Sequence, residues 1–328
     1  MTEIRARRHG TLASGRRSPR RDAARCAAAA AWILVLSGSA ALAQAPAAYL
    51  YSLSSFSGPL RDDGARVRVD AERDEVLVIY QNTVRVFNRS GMEFYSFGAD
   101  LDLGQILDLA VEPGGDIVLL SYKDSRSLVT RCNFRGEPLG PIEIGGLPEG
   151  LAFHANRMVL RNERFYFASL AASSVIVTDA KGTFLRHVDL PSMMQPEERQ
   201  RGGTEALGFS VDEEGSIFLT LPSVFRVYKI AEDGGLSEFG RPGAVPGRFG
   251  IVAGIAVDRR GNLLVADKLK CVVMLFDKDF GFVGEFGYRG PAPENLIVPE
   301  DVAVDRLDRV YVAQGRRRGI SVFALASR

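Results

Sequence analysis

Five side chains of this sequence, Asp108, Asn156, Glu205, Glu300 and Asp301, carry the hard oxygen donors that hold calcium or magnesium. Seven cationic side chains suit the opposite task. Lys123, Arg126, Lys268, Lys270, Arg316, Arg317 and Arg318 would attract a carboxylate-rich peptide, an anionic polysaccharide or lipid headgroups. Met193 and Met194 sit in a charged stretch, LPSMMQPEERQRGGTEAL, where soft apolar side chains could contact a partner. Nucleophilic chemistry is poorly served. Beyond His9 the chain has only His154 and His187, and no Ser or Cys shares a recognisable turn motif with a His. Both histidines read as surface or turn residues. These groups are scattered along the chain, so which of them meet depends on the elements that carry them.

Those elements appear as an internal repeat. GIAVD at 254–258, GNLLVAD at 261–267, VVMLFD at 272–277 and FVGEFG at 282–287 are short apolar segments, each ended by Asp or Gly. This is the pattern of four strands joined by tight turns. The unit recurs at 67–70, 75–80, 84–88 and 93–98, and again at 108–112, 115–120 and 128–133. A third copy, carried by spacing, places strands at 157–161, 164–169 and 175–179. The fourth has 209–212, 215–219, 225–229 and 236–240, and the sixth has 301–305, 310–313 and 320–323. Equivalent positions 70, 112, 161, 212, 258 and 305 lie 42 to 51 residues apart, a blade-sized period. A central strand apolar on both faces cannot bury itself, so the units must stack around an axis. The expected fold is all-β, a six-bladed β-propeller of four-stranded antiparallel blades, filling residues 44–328 as one domain. The sixth unit lacks a fourth strand. YLYSL at 49–53 resembles FYSF at 94–97 and is expected to complete it, removing the last open sheet edge.

Residues 1–25 hold eight Arg against Glu3 and Asp22, and 26–43 read CAAAAAWILVLSGSAALA. A basic start, an apolar middle and small residues at the end make 1–43 a signal peptide, with cleavage after Ala43 or Ala45. The rival is an uncleaved anchor, but the strongly apolar part at 27–36 is shorter than the roughly 20 residues a membrane span needs. The expected destination is the periplasm or the exterior. Without residues 1–43 the chain has 33 basic and 38 acidic residues, a mildly acidic balance that disfavours nucleic acid as a partner. The exported domain is read as a monomer. Its remaining cysteines, Cys132 and Cys271, fall in blades two and five, across the ring, and read as unpaired small hydrophobes.

GRFG at 247–250, GIAVD at 254–258, Gly261-Asn262, Ala266-Asp267, VVMLFD at 272–277 and Phe286-Gly287 together resemble a near-consensus NHL repeat. The ring as a whole, 49–323, resembles an exported bacterial NHL-repeat propeller, with departures in blade three and at Ala313-Gln314, where Asp is usual. In a propeller of this strand order, the connections between blades share one face with those between second and third strands, and that face usually carries function. It would hold the long connections at 190–207, 241–253 and 288–300, and the seven basic residues as an arc. Solvated surface charge is the plainer account of the arc.

Four residues before each strand-ending position stand Arg66, Asp108, Arg157, Gly208, Gly254 and Asp301, with Asn156, Glu205 and Glu300 nearby. A lactonase-like site would hold one calcium or magnesium ion with such acids at the channel mouth. The two Arg oppose a cation and could instead pair with Asp108 and Asp301. The NHL-like amidating lyases use several His around a metal, and this chain is short of them. Asp70, Asp212, Asp258 and Asp305 are turn-stabilising residues on the opposite face. The resulting expectation is a non-catalytic binding scaffold without a cofactor, for a protein, peptide or anionic polymer. The alternative is a metal-dependent lactonase-like hydrolase or a lyase.

Overall fold

The computed structural model describes residues 46–70, 72–99, 102–200 and 203–326. The expected signal peptide at 1–43 lies outside the described residues. The repeated apolar segments become six four-stranded antiparallel sheets, arranged as the blades of a ring. Blade one is Arg66–Asp70, Glu75–Tyr80, Thr83–Phe87 and Glu93–Phe97. Blade two is Gln105–Val111, Ile117–Lys123, Arg126–Cys132 and Pro138–Pro141. Blade three is Arg157–Arg161, Arg164–Ser169, Ser174–Asp179 and Phe184–Asp189. Blade four is Gly208–Val211, Ile217–Leu221, Arg226–Ile230 and Leu236–Phe239. Blade five is Val252–Val257, Leu263–Asp267, Val272–Phe276 and Phe282–Phe286.

Blade six takes Pro299–Val304, Arg309–Gln314 and Gly319–Leu325 from the end of the chain and Ala47–Ser52 from its beginning. The expected clasp is therefore present. Ala47 pairs with Leu325 and Tyr49 with Phe323, and the Tyr49 ring meets the Phe323 ring edge-on at 5.7 Å. Leu53, just past the strand, is fully buried, and its N–H donates to the Ile320 carbonyl at 3.0 Å.

Second strands such as Leu263–Asp267 and Ile217–Leu221 are buried along their whole length, because sheet neighbours flank them and adjacent blades cover both faces. The core is thus a series of blade-to-blade contacts. Ala256, Leu264 and Ala266 of blade five, for instance, pack on Val302, Val310 and Val312 of blade six. Each buried valine or leucine among them contributes about 1.5–3 kcal/mol.

The turn acids behave as their positions suggest. Asp258 Oδ1 accepts the N–H groups of Arg260 and Asn262, both at 2.8 Å, and Asp305 Oδ1 does the same for Leu307 and Arg309. Where Asp267 in blade five accepts four N–H groups, from Gly250, Ile251, Leu269 and Lys270, blade six has Gln314. Gln314 still accepts the Ile297 N–H at 2.7 Å and donates to Ser321 Oγ at 2.9 Å. The departure from the repeat changes the group and keeps part of its work. Cys132 and Cys271 are buried and unpaired. Burial, helped by Asp116, pushes the Cys132 thiol up to about 11.

Candidate functional site

The first strand of each blade lines the central channel, and there the chain concentrates its buried charge. Arg68 Nη2 donates to Asp108 Oδ2 at 2.6 Å, and Arg68 Nη1 donates to Asp301 Oδ2 at 3.1 Å. Burial alone would lower the pKa of Arg68, but the two carboxylates more than reverse this and hold it above its ordinary value. Both acids also bond the next blade. Asp108 Oδ2 accepts the Met158 N–H at 2.9 Å, while its Oδ1 accepts the Leu109 N–H. Asp301 Oδ2 accepts the Val67 N–H at 3.2 Å. Met158 and Val67 each follow the Arg at the equivalent position of their own blade, so the two aspartates are the same device used twice. They join blade two to three and blade six to one.

Bulges place these side chains. The register of the first strand shifts between Ile106 and Asp108 in blade two and between Pro299 and Asp301 in blade six. An extra residue at that point re-aims the side chain that follows. Blade five has the same shift before Ile255, but Gly254 holds the equivalent position. A Cβ there would lie 2.7 Å from the Asp301 Cα, and one on Gly208 would lie 2.2 Å from the Ala253 carbonyl oxygen. Glycine at both positions lets the next blade approach.

Above this pair sit Arg66 and Arg157, half-buried at the starts of their strands. Burial first, and then the charge of Arg66, push Arg157 down to about 9, against the opposing pull of Asp108 and Asp301. Arg66 is also lowered, chiefly by burial. On the turn side a cavity of about 400 Å³ follows the inner strands, with Arg68, Asp301, Glu112, Arg161 and Arg306 among its lining residues. Arg68 was missed by counting one residue per blade. The period-two spacing Arg66-Val67-Arg68 signals it, since residues two apart share a strand face.

The five oxygen donors do not assemble into one ligand set. Asp108 and Asp301 bond Arg68 and backbone, and Glu300 pairs with Lys268 at 3.1 Å. Asn156 Oδ1 accepts the Leu170 N–H at 3.2 Å, and Glu205 is exposed. Among the described residues, no group of three or more His, Cys, Asp or Glu side chains is placed to hold a metal ion.

The seven basic residues differ in freedom. Lys123 pairs with Asp102 at 2.6 Å. Lys270 is largely buried, bonded to Glu285 and to the carbonyls of Val245 and Arg248. Arg318 donates to the carbonyls of Pro291, Ala292 and Asn295. These two hold neighbouring loops in place. Arg126, Arg316 and Arg317 are exposed. His154 and His187 are exposed as well.

Met194 is a correction to the expected partner surface. It is 4% exposed and packs with Leu190, Ala206 and Leu221 in the core of blades three and four, with half-buried Met193 beside it. Apolar residues at 190 and 194 turn inward because Leu190–Met193 forms a single helical turn over that core. The same connection is pinned by Tyr228, whose hydroxyl donates to Glu198 Oε2 at 2.9 Å. Burial and the bond to Glu198 hold the Tyr228 hydroxyl far above its usual range, so it remains a donor. Tyr228→Phe is expected to quicken limited proteolysis within 190–207 several-fold while leaving strand content intact. An unchanged cutting rate would mean that the other contacts of this connection, such as Leu190, Met194 and the Arg226–Glu198 pair, hold it without the tyrosine.

No family model matches this chain. Over 69 residues it is 35% identical to the protein brain tumor of Drosophila melanogaster, a stretch covering 21% of this chain and 7% of that protein. Three solved structures share its architecture. A gluconolactonase from Xanthomonas campestris aligns with TM-score 0.57 and 16% identity, over 85% of this chain and 89% of that one. Virginiamycin B lyase from Staphylococcus aureus, with quinupristin, aligns at 0.54 and 12%, over 82% and 84%. An auxiliary nutrient binding protein from Bacteroides ovatus aligns at 0.59 and 15%, over 85% and 76%. The likeness is one of fold: a six-bladed propeller.

Proposed function

We propose that this chain is an exported NHL-type propeller that binds a protein, peptide or anionic polymer on its loop face and performs no catalysis. The NHL reading is supported by the blade-five repeat and by the 69-residue match. Export to the periplasm or beyond rests on the charge and apolar pattern of 1–43. The observation that carries the binding reading is the bonding of Asp108 and Asp301. A divalent cation would have to compete with Arg68 and with backbone N–H groups for both carboxylates, at the cost of two blade-to-blade joints.

Two measurements test this. Melting of the purified domain is expected to be the same in millimolar calcium, millimolar magnesium and EDTA, within a degree. A stoichiometric metal and a metal-dependent rise would favour the hydrolase reading. Second, Arg316→Ala with Arg317→Ala is expected to weaken capture of a polyanion such as heparin several-fold. The melting temperature should hold, because exposed charges contribute little to stability. Undiminished capture would remove the arc from the interface.

A further inference from the structure

We infer that the channel mouth between Arg66 and Arg157 is a binding site for a small organic carboxylate, distinct from the surface arc. The argument begins with charge. At positions 66, 108, 157 and 301 of the inner strands, and at Arg68, three guanidinium groups stand with two carboxylates, Asp108 and Asp301, and both carboxylates are bonded to Arg68. Glu300, beside Asp301, is paired with Lys268. Among the described residues, Arg66 and Arg157 therefore reach no carboxylate at hydrogen-bond or ion-pair distance. Arg157 Nη1 donates only to the carbonyl of its own neighbour Asn156, at 2.8 Å.

Two half-buried guanidiniums that bond no carboxylate are costly, since a partly desolvated charge is tolerated when it is paired. An arginine does not escape by losing its proton at neutral pH. The remaining relief is an anion from solution. The equivalent Asp of the neighbouring blades shows what suits the place, because Asp108 and Asp301 already satisfy Arg68 with carboxylate oxygens from adjoining positions of the same ring. A planar carboxylate matches the donor fork of a guanidinium better than a spherical halide does. Two such forks favour a ligand carrying two carboxylates, or one carboxylate shared between them. The Nε of Arg68, buried and without a partner, adds a further unused donor in the channel.

The test uses sodium malonate against sodium chloride at matched ionic strength, with inorganic phosphate as a third arm. Malonate is expected to raise the melting temperature of the mature protein by about 5 °C at concentrations near 100 times its Kd. Calorimetric titration should give one site per chain. Arg157→Met and, separately, Arg66→Gln should each weaken malonate binding at least tenfold. Both variants should melt no lower than the parent protein in chloride, since each removes a charge without a partner. Arg316→Ala with Arg317→Ala should leave malonate binding unchanged, which separates this site from the arc. Absence of malonate binding, binding of phosphate alone, or malonate binding lost only with the arc residues would each overturn the assignment.

Discussion

A chain shortened to begin at Ser54 is expected to lose stability on the order of 5 kcal/mol or more, comparable with the whole net stability of a typical domain. Fully buried Leu53 goes, and a leucine removed from such a site costs about 2–5 kcal/mol by itself. Ala47 and the Tyr49–Phe323 contact go with it, as do the ladder hydrogen bonds along Gly319–Leu325. The strand left behind presents an unpaired apolar edge, which predicts self-association as well as unfolding. Unfolding curves and light scattering on the shortened protein would check both. Adding a synthetic peptide of residues 46–53 should restore part of the lost stability, because strand addition needs only the edge and its alternate side-chain pockets. If the shortened chain melts like the parent, ring closure does not depend on this strand.

The second large effect centres on Arg68. Arg68→Met is expected to cost about 3–5 kcal/mol, because it leaves Asp108, which is wholly buried, without its cation. The melting temperature should fall by roughly 10 °C. Adding Asp108→Asn should recover part of that loss, since an amide oxygen still accepts from Met158 and only the more exposed Asp301 is left without its arginine. Non-additivity of this kind is what a double-mutant cycle reads directly for groups in contact. Additive losses would mean that Arg68 and Asp108 do not depend on one another.

Sequence and structure agree wherever local chemistry repeats. Apolar alternation, a turn Asp such as Asp258 or Asp305 and the 42 to 51 residue period are local signals, and they place all six blades and the clasp. The third blade, legible only by spacing, closes with Phe184–Asp189, a strand whose outer side is solvated and whose apolar pattern is weak. The channel was legible in composition and not in pairing. Counting back one position per blade finds Arg66, Asp108, Arg157 and Asp301, but the bulges before Asp108 and Asp301 decide where those acids reach. A bulge has no reliable signature in the residues that form it. The direction of Met194 was hidden for a similar reason, since one helical turn inside a long connection is too short for periodicity to reveal.

The clasp also sets the order of events in time. Leu53 meets Ile320, a partner far along the chain, so the strand Ala47–Ser52 must wait for Gly319–Leu325 before it can pair. Closing so long a loop comes late and slowly, because its entropy is lost before any contact compensates for it. During that interval five blades can form from local pairings while the first strand stays unsheathed. The vulnerable species in the life of this protein is therefore a nearly finished ring, and its lifetime is governed by arrival of the final hairpin.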